Sequence, residues 1–155
     1  MEITIPGRGK VHIKQAVFDY NGTLATDGRM CQGVREVLTL LTEYMQVVVL
    51  TADTYGTVAQ ELEGTGVKLH RFPSERAGLS KRNFVADNNP QTTLTVGNGL
   101  NDLPMTEISC LSIAVIGSEG CHGKLLAAAD IVVKDVMDVF ALLKNPDRIK
   151  ATLRS

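Results

Sequence analysis

Gln15-Ala16-Val17-Phe18-Asp19-Tyr20-Asn21-Gly22-Thr23-Leu24 joins an apolar run to an aspartate and then to a turn-forming Asn-Gly pair. A short apolar run bounded by turn residues reads as a buried strand. The strand Gln15–Phe18 therefore ends at Asp19. Upstream, Ile3 to Ile13 with Pro6 and Gly7 at its middle predicts an edge hairpin beside that strand. Downstream, Val34, Val37, Leu38 and Leu41 recur at helical spacing and predict a helix from Gly33 to about Tyr44, followed by the buried strand QVVVL.

The alternation continues to the end of the chain. Thr54 to about Leu62 reads as a helix closed by Gly64 and Gly66, and VKLHRF as a strand. A polar helix from Ser74 through Lys81 to about Asp87 precedes the break at Pro90 and the strand TTLTV. Then come a helix from about Leu103 to Ser109, the strand LSIAVI, a helix near His122–Ala129, the strand IVV and a last helix Val136–Leu143. Strands alternating with helices predict an α/β fold, a single doubly wound (Rossmann-like) parallel sheet with helices on both faces. At 155 residues the expectation is one domain, 1–155.

Composition narrows the function. Hydrophobic residues make up 44% and charged residues 21%, with a formal charge of −1 and both signs scattered, so a basic stripe for nucleic acid is not expected. Cys31, Cys110 and Cys121 are odd in number and lack metal-ligand spacing, which predicts reduced thiols. His12, His70 and His122 form no ligand pattern. No apolar run reaches the roughly 18 residues of a membrane span, and MEITIPGRGK has no signal-peptide apolar stretch. The expected location is the cytoplasm, with no membrane partner.

Ligands of open parallel sheets bind beyond the carboxyl ends of the strands. Those ends carry Asp19-Tyr20-Asn21-Gly22, Thr51-Ala52-Asp53 and Gly97-Asn98-Gly99-Leu100-Asn101-Asp102, with Lys81 between the last two. Singly, these residues read as turn formers, helix caps or a solvated lysine. Together, a carboxylate, a hydroxyl, an ammonium and a second carboxylate are what phosphoryl transfer through an aspartyl phosphate uses.

DYNGTL resembles the DxDGT[LV] nucleophile motif of the haloacid dehalogenase superfamily, and GNGLND resembles its acidic GDGxND motif. LTADT is similar to the hydroxyl motif and to the TGDN segment of P-type ATPase phosphorylation domains. The resemblance covers essentially the whole chain. It implies Asp19 as nucleophile and magnesium ligand, with the Asn21 carbonyl, Asn98 and Asp102 completing the Mg2+ site. It implies a phosphate site from Gly22, Thr51, Ala52 and Lys81, with Asp53 pairing to Lys81.

Two positions depart from the family, both Asp to Asn. Asn21 stands where phosphatases carry a general acid and base, whose assistance is typically worth about 10²–10⁴-fold, so turnover should be slow. Asn98 replaces a charged metal ligand and should weaken magnesium. Only 31 residues separate Asp19 from Thr51 and 29 separate Thr51 from Lys81, which leaves no room for a cap or for the nucleotide-binding domain of a P-type pump.

A receiver domain is set aside because its phosphorylated Asp follows the third strand, and a dehalogenase because it usually needs a cap. ATDGRM resembles the hairpin of capless octulosonate phosphate phosphatases, which assemble as tetramers, so a homo-oligomer, dimer or tetramer, is expected. The expectation is a magnesium-dependent phosphatase or phosphotransferase for a small phosphorylated molecule or a phosphoprotein. The alternative is a catalytically weak phosphate-binding or regulatory domain.

Overall fold

The computed structural model describes residues 1–53 and 57–155. In chain order the elements are β1 (Glu2–Ile5), β2 (Gly9–His12), β3 (Gln15–Asp19), β4 (Ala25–Thr26), β5 (Arg29–Met30), α1 (Val34–Thr42), β6 (Gln46–Thr51), α2 (Thr57–Leu62) and β7 (Lys68–Arg71). After these come α3 (Ala77–Asp87), β8 (Thr93–Gly97), α4 (Leu103–Thr106), β9 (Leu111–Val115), α5 (Gly123–Ala128), β10 (Ile131–Val133), α6 (Val136–Lys144) and α7 (Pro146–Leu153).

Six strands form one sheet in the order β10-β9-β8-β3-β6-β7, every neighbouring pair parallel. The chain runs outward from β3 through β6 to β7, then crosses back to β8 and proceeds to β10. The switch point lies between β3 and β8, where a doubly wound sheet opens its crevice. All five residues of β3 are buried, as are all five of β8 and of β9, which suits strands covered on both faces.

Period-two alternation sorts the core. Ala16, Phe18, Val47, Val49, Leu94 and Val96 belong to the larger cluster with Val34, Leu38, Val136 and Phe140 of α1 and α6. Val17, Val48 and Leu50 pack on the other face with Val85 of α3 and Met105 of α4. Burying each such aliphatic side chain contributes about 1.5–3 kcal/mol. The parity has a direct consequence for chemistry: Asp19 follows Val17 by two residues and shares its face, and Lys81 precedes Val85 by one helical turn. The nucleophile candidate and the lysine are thus delivered to the same side of the sheet by periodicity alone.

Three local expectations need correction. The hairpin β1–β2 forms its own two-stranded sheet, because β3 already has β6 and β8 on its two sides and offers no edge. The helix expected from Leu103 to Ser109 ends at Thr106, where the Ser109 hydroxyl bonds the Thr106 carbonyl and the Thr95 hydroxyl instead. A further helix, α7, follows Asn145; it is mostly polar and inserts Ile149 into the core. The expected start of the second helix at Thr54 lies outside the described residues. Among those residues no helix is long and apolar enough to cross a membrane. Among the described residues no cap domain is present: the span from Asp19 to Thr51 builds a two-rung hairpin, α1 and β6.

Candidate active site

Asp19 ends β3, and its Oδ1 accepts from Lys81 Nζ at 2.5 Å. The same ammonium donates to Asp102 Oδ1 at 2.6 Å, so one buried lysine bridges two buried carboxylates. Asp102 is fully engaged, because its Oδ2 also accepts from the backbone N–H groups of Asn98 at 3.0 Å and Gly99 at 2.9 Å. Gly97 is required beneath it: a Cβ there would fall 2.4 Å from Asp102 Cγ. Asp19 is less engaged. Its Oδ2 accepts a long 3.3 Å bond from Thr23 Oγ1, which also reaches Asn98 Oδ1 at 3.3 Å.

The electrostatics follow from burial. Desolvation and the charge of Asp102 push Asp19 up to about 7, with Lys81 pulling it back. Lys81 is held above its ordinary range by the two carboxylates, against the penalty of its own burial. A cation arriving beside Asp19 would favour the ionised, nucleophilic carboxylate.

Gly22 adopts φ +78°, and a Cβ on it would meet the Asn98 amide at 2.3 Å, so only glycine brings the two loops this close. Asn98 is locked in place by donating Nδ2–H to Gly120 O at 3.1 Å. The Thr51 hydroxyl accepts from Asp53 N–H at 3.1 Å, which leaves its proton to donate elsewhere. The expected Asp53–Lys81 pair does not form; the Asp53 carboxylate accepts from Val58 N–H at 3.2 Å at the start of α2, while Lys81 is committed to Asp19 and Asp102.

A cavity of about 310 Å³ opens beyond the ends of β3 and β6, lined by Tyr20, Asn21, Gly28, Ala52, Asp53, Thr57 and Val58. Its walls use residues that the motifs did not single out. The Tyr20 hydroxyl donates to Glu61 of α2, and Glu61 also accepts from Met30 N–H at 3.2 Å, tying α2 to the β4–β5 hairpin. Asp27 and Gly28 at the hairpin tip both have positive φ, the signature of a tight two-residue turn. Glu119 anchors that tip by accepting from Asp27 N–H at 2.9 Å. Thr23 had a signal, its place inside DYNGTL; Glu61 and Glu119 had none, since only folding brings them to the hairpin.

The donor chemistry fits a hard divalent cation weakly. Asp19 Oδ2 and Asn98 Oδ1 both face Thr23 Oγ1, so two oxygens converge on one point. Among the described residues, however, no three His, Cys, Asp or Glu side chains cluster as a metal site. Asn98 offers a neutral oxygen, and both oxygens of Asp102 are already used.

No family model matches the chain. It is 43% identical over 90 residues to an uncharacterized protein of Methanocaldococcus jannaschii, covering 57% of this chain and 97% of that one, and the two belong to one sequence family. It is 25% identical over 126 residues to a soluble P-type ATPase-like phosphatase of the same organism, covering 79% of this chain but only 46% of the phosphatase. Among solved structures, a 3-deoxy-D-manno-octulosonate 8-phosphate phosphatase from Yersinia pestis superposes with a TM-score of 0.67 at 20% identity, over 99% of this chain and 95% of that one. The Moraxella catarrhalis phosphatase of the same name, in complex with magnesium, phosphate and the sugar acid, gives 0.67 at 18% identity over 92% and 94%. A Legionella pneumophila hydrolase assigned to subfamily III A of the haloacid dehalogenase superfamily gives 0.69 at 20% over 91% and 87%.

Proposed function

We propose, for a chain with the fold of the haloacid dehalogenase superfamily, that it transfers phosphoryl groups through an aspartyl phosphate at Asp19. The observation that carries this reading is the asymmetry of the Asp19 carboxylate: Lys81 holds Oδ1, while Oδ2 stays loosely bonded. That oxygen attacks phosphorus, and the bond from phosphorus to the leaving oxygen breaks. Thr51 donates its hydroxyl to the phosphoryl group, the backbone at Gly22 and Ala52 lies against it, and Lys81 offsets the charge shared with Asp19. Asp102 acts through Lys81 as a positioning residue.

Asp19, the Asn21 carbonyl and Asn98 would hold magnesium, with Asp102 behind them. When bound, magnesium would neutralise phosphoryl charge and draw Asp19 into its ionised form. The cavity beside Asn21 is the place for the remainder of a small phosphorylated molecule or a phosphorylated side chain. A dimer or tetramer in which a second copy covers that cavity belongs to the same reading, as does a cytoplasmic location.

Asn21 limits the second half-reaction, because an amide cannot take the proton from attacking water. Asn21→Asp should raise steady-state hydrolysis of a simple phosphate ester at saturating magnesium by about tenfold or more, which is ~1.4 kcal/mol off the barrier. A folded, magnesium-binding variant that hydrolyses no faster than the parent would favour the second reading, a phosphate-binding or regulatory domain. The feature behind that reading is the pair Asn21 and Asn98, amides where the resembling motifs carry carboxylates.

A further inference from the structure

The chain contains two Asn-Gly pairs, Asn21-Gly22 and Asn98-Gly99, and they occupy the two positions where carboxylates would complete the site. No other asparagine precedes a glycine. In such a pair the glycine nitrogen, unhindered by a Cβ, can attack the asparagine side-chain carbonyl carbon. A carbon–nitrogen bond forms, ammonia leaves, and a cyclic imide results. Water then opens the ring at one carbonyl to give aspartate or at the other to give an isoaspartyl link.

The two pairs sit in different surroundings. The Asn98 amide donates from Nδ2 to Gly120 O at 3.1 Å, and its Oδ1 lies 3.3 Å from the Thr23 hydroxyl that it shares with Asp19. Gly99 N–H donates to the Asp102 carboxylate at 2.9 Å, and that negative charge opposes the loss of the amide proton that attack requires. Asn21 is exposed, and among the described residues its side-chain amide has no hydrogen-bond partner. Gly22 N–H donates only to the neutral carbonyl of Ala25, at 2.8 Å, within a turn of a few residues. Opening that turn is a local event and leaves the sheet intact.

We propose that Asn21 is a self-modification site: its amide is lost through the imide with Gly22 and hydrolysed by water, so that part of the aged protein carries an aspartate beside the nucleophile. Asn98 stays an amide. The effect of this change on turnover rests on the acid–base reading of position 21 given above; the modification itself does not. The parent chain would be a slow enzyme that becomes faster with age.

The test incubates the purified full chain at mildly alkaline pH and follows peptide masses beside hydrolysis of a simple phosphate ester with magnesium. The peptide holding Asn21 should gain the mass difference between an amide and an acid and show both aspartyl and isoaspartyl forms, while the peptide holding Asn98 should not change. Asn21→Gln, whose longer side chain closes the ring poorly, should abolish the mass change. Conversion of Asn98 as fast as Asn21, or of neither, overturns the proposal. Hydrolysis should rise in step with the aspartyl fraction, by about tenfold or more at full conversion to that form. The predicted mass change without a rise in rate would uphold the modification and defeat the acid–base reading instead.

Discussion

The loop after β3 and the loop after β8 each bring one aspartate and one asparagine to the same end of the sheet, yet their hydrogen bonding differs. In the β8 loop, Asp102 spends both oxygens on Lys81 and two backbone N–H groups, and the Asn98 amide donates to Gly120 O. In the β3 loop, Asp19 keeps one loosely bonded oxygen and Asn21 projects beside a cavity. On the proposed function, the closed loop frames the site and the open loop reacts. The same residue types therefore carry different duties, and the number of hydrogen bonds on each carboxylate tells them apart.

The comparison breaks first at Lys81, the group common to both loops. Lys81→Met would leave two buried carboxylates facing each other and should lower unfolding free energy by about 3–5 kcal/mol, read from urea denaturation. Asp102→Asn keeps the shape but offers one acceptor oxygen where two served three donors, and should cost about 1–3 kcal/mol. Asp19→Asn should act oppositely, abolishing phosphoryl transfer without loss of stability, because an amide imitates the protonated carboxyl that burial favours.

That last variant has a pH signature. Asp19 is raised in the folded protein from an ordinary 3.8 to about 7, so the folded state holds its proton more tightly than the unfolded chain. Stability that is present below the ordinary value is lost as pH rises toward 7. Parent and Asp19→Asn should match near pH 4, and the variant should become the more stable of the two by pH 7, when measured without divalent metal. A difference that stays flat across that interval would contradict the burial argument.

Much of this was legible in the chain because apolar runs and parity carry it. QAVF, QVVVL and LSIAVI could hardly be anything but covered strands, and the spacing from Val17 to Asp19 fixes the face on which the nucleophile candidate emerges. The helix α7 escaped because a polar segment with one buried isoleucine has little pattern to read. The hydrogen bonding of Asp102 escaped for another reason. A motif specifies that a carboxylate is present, whereas its bonds to Asn98 and Gly99 N–H depend on the exact turn that Gly97 allows. The same holds for Asp53, which caps α2 where sequence comparison with the pumps suggested Lys81.

The central claim is that Asp19 is the atom-bearing group that meets phosphorus, and it is tested most directly by trapping. Beryllium fluoride with magnesium imitates an acyl phosphate, and its position can be read by crystallography or fluorine NMR. A fluoroberyllate should sit on the Asp19 carboxylate, within reach of Thr51 and Lys81, and be absent in Asp19→Asn. Attachment at another residue, or undiminished binding in Asp19→Asn, would contradict it.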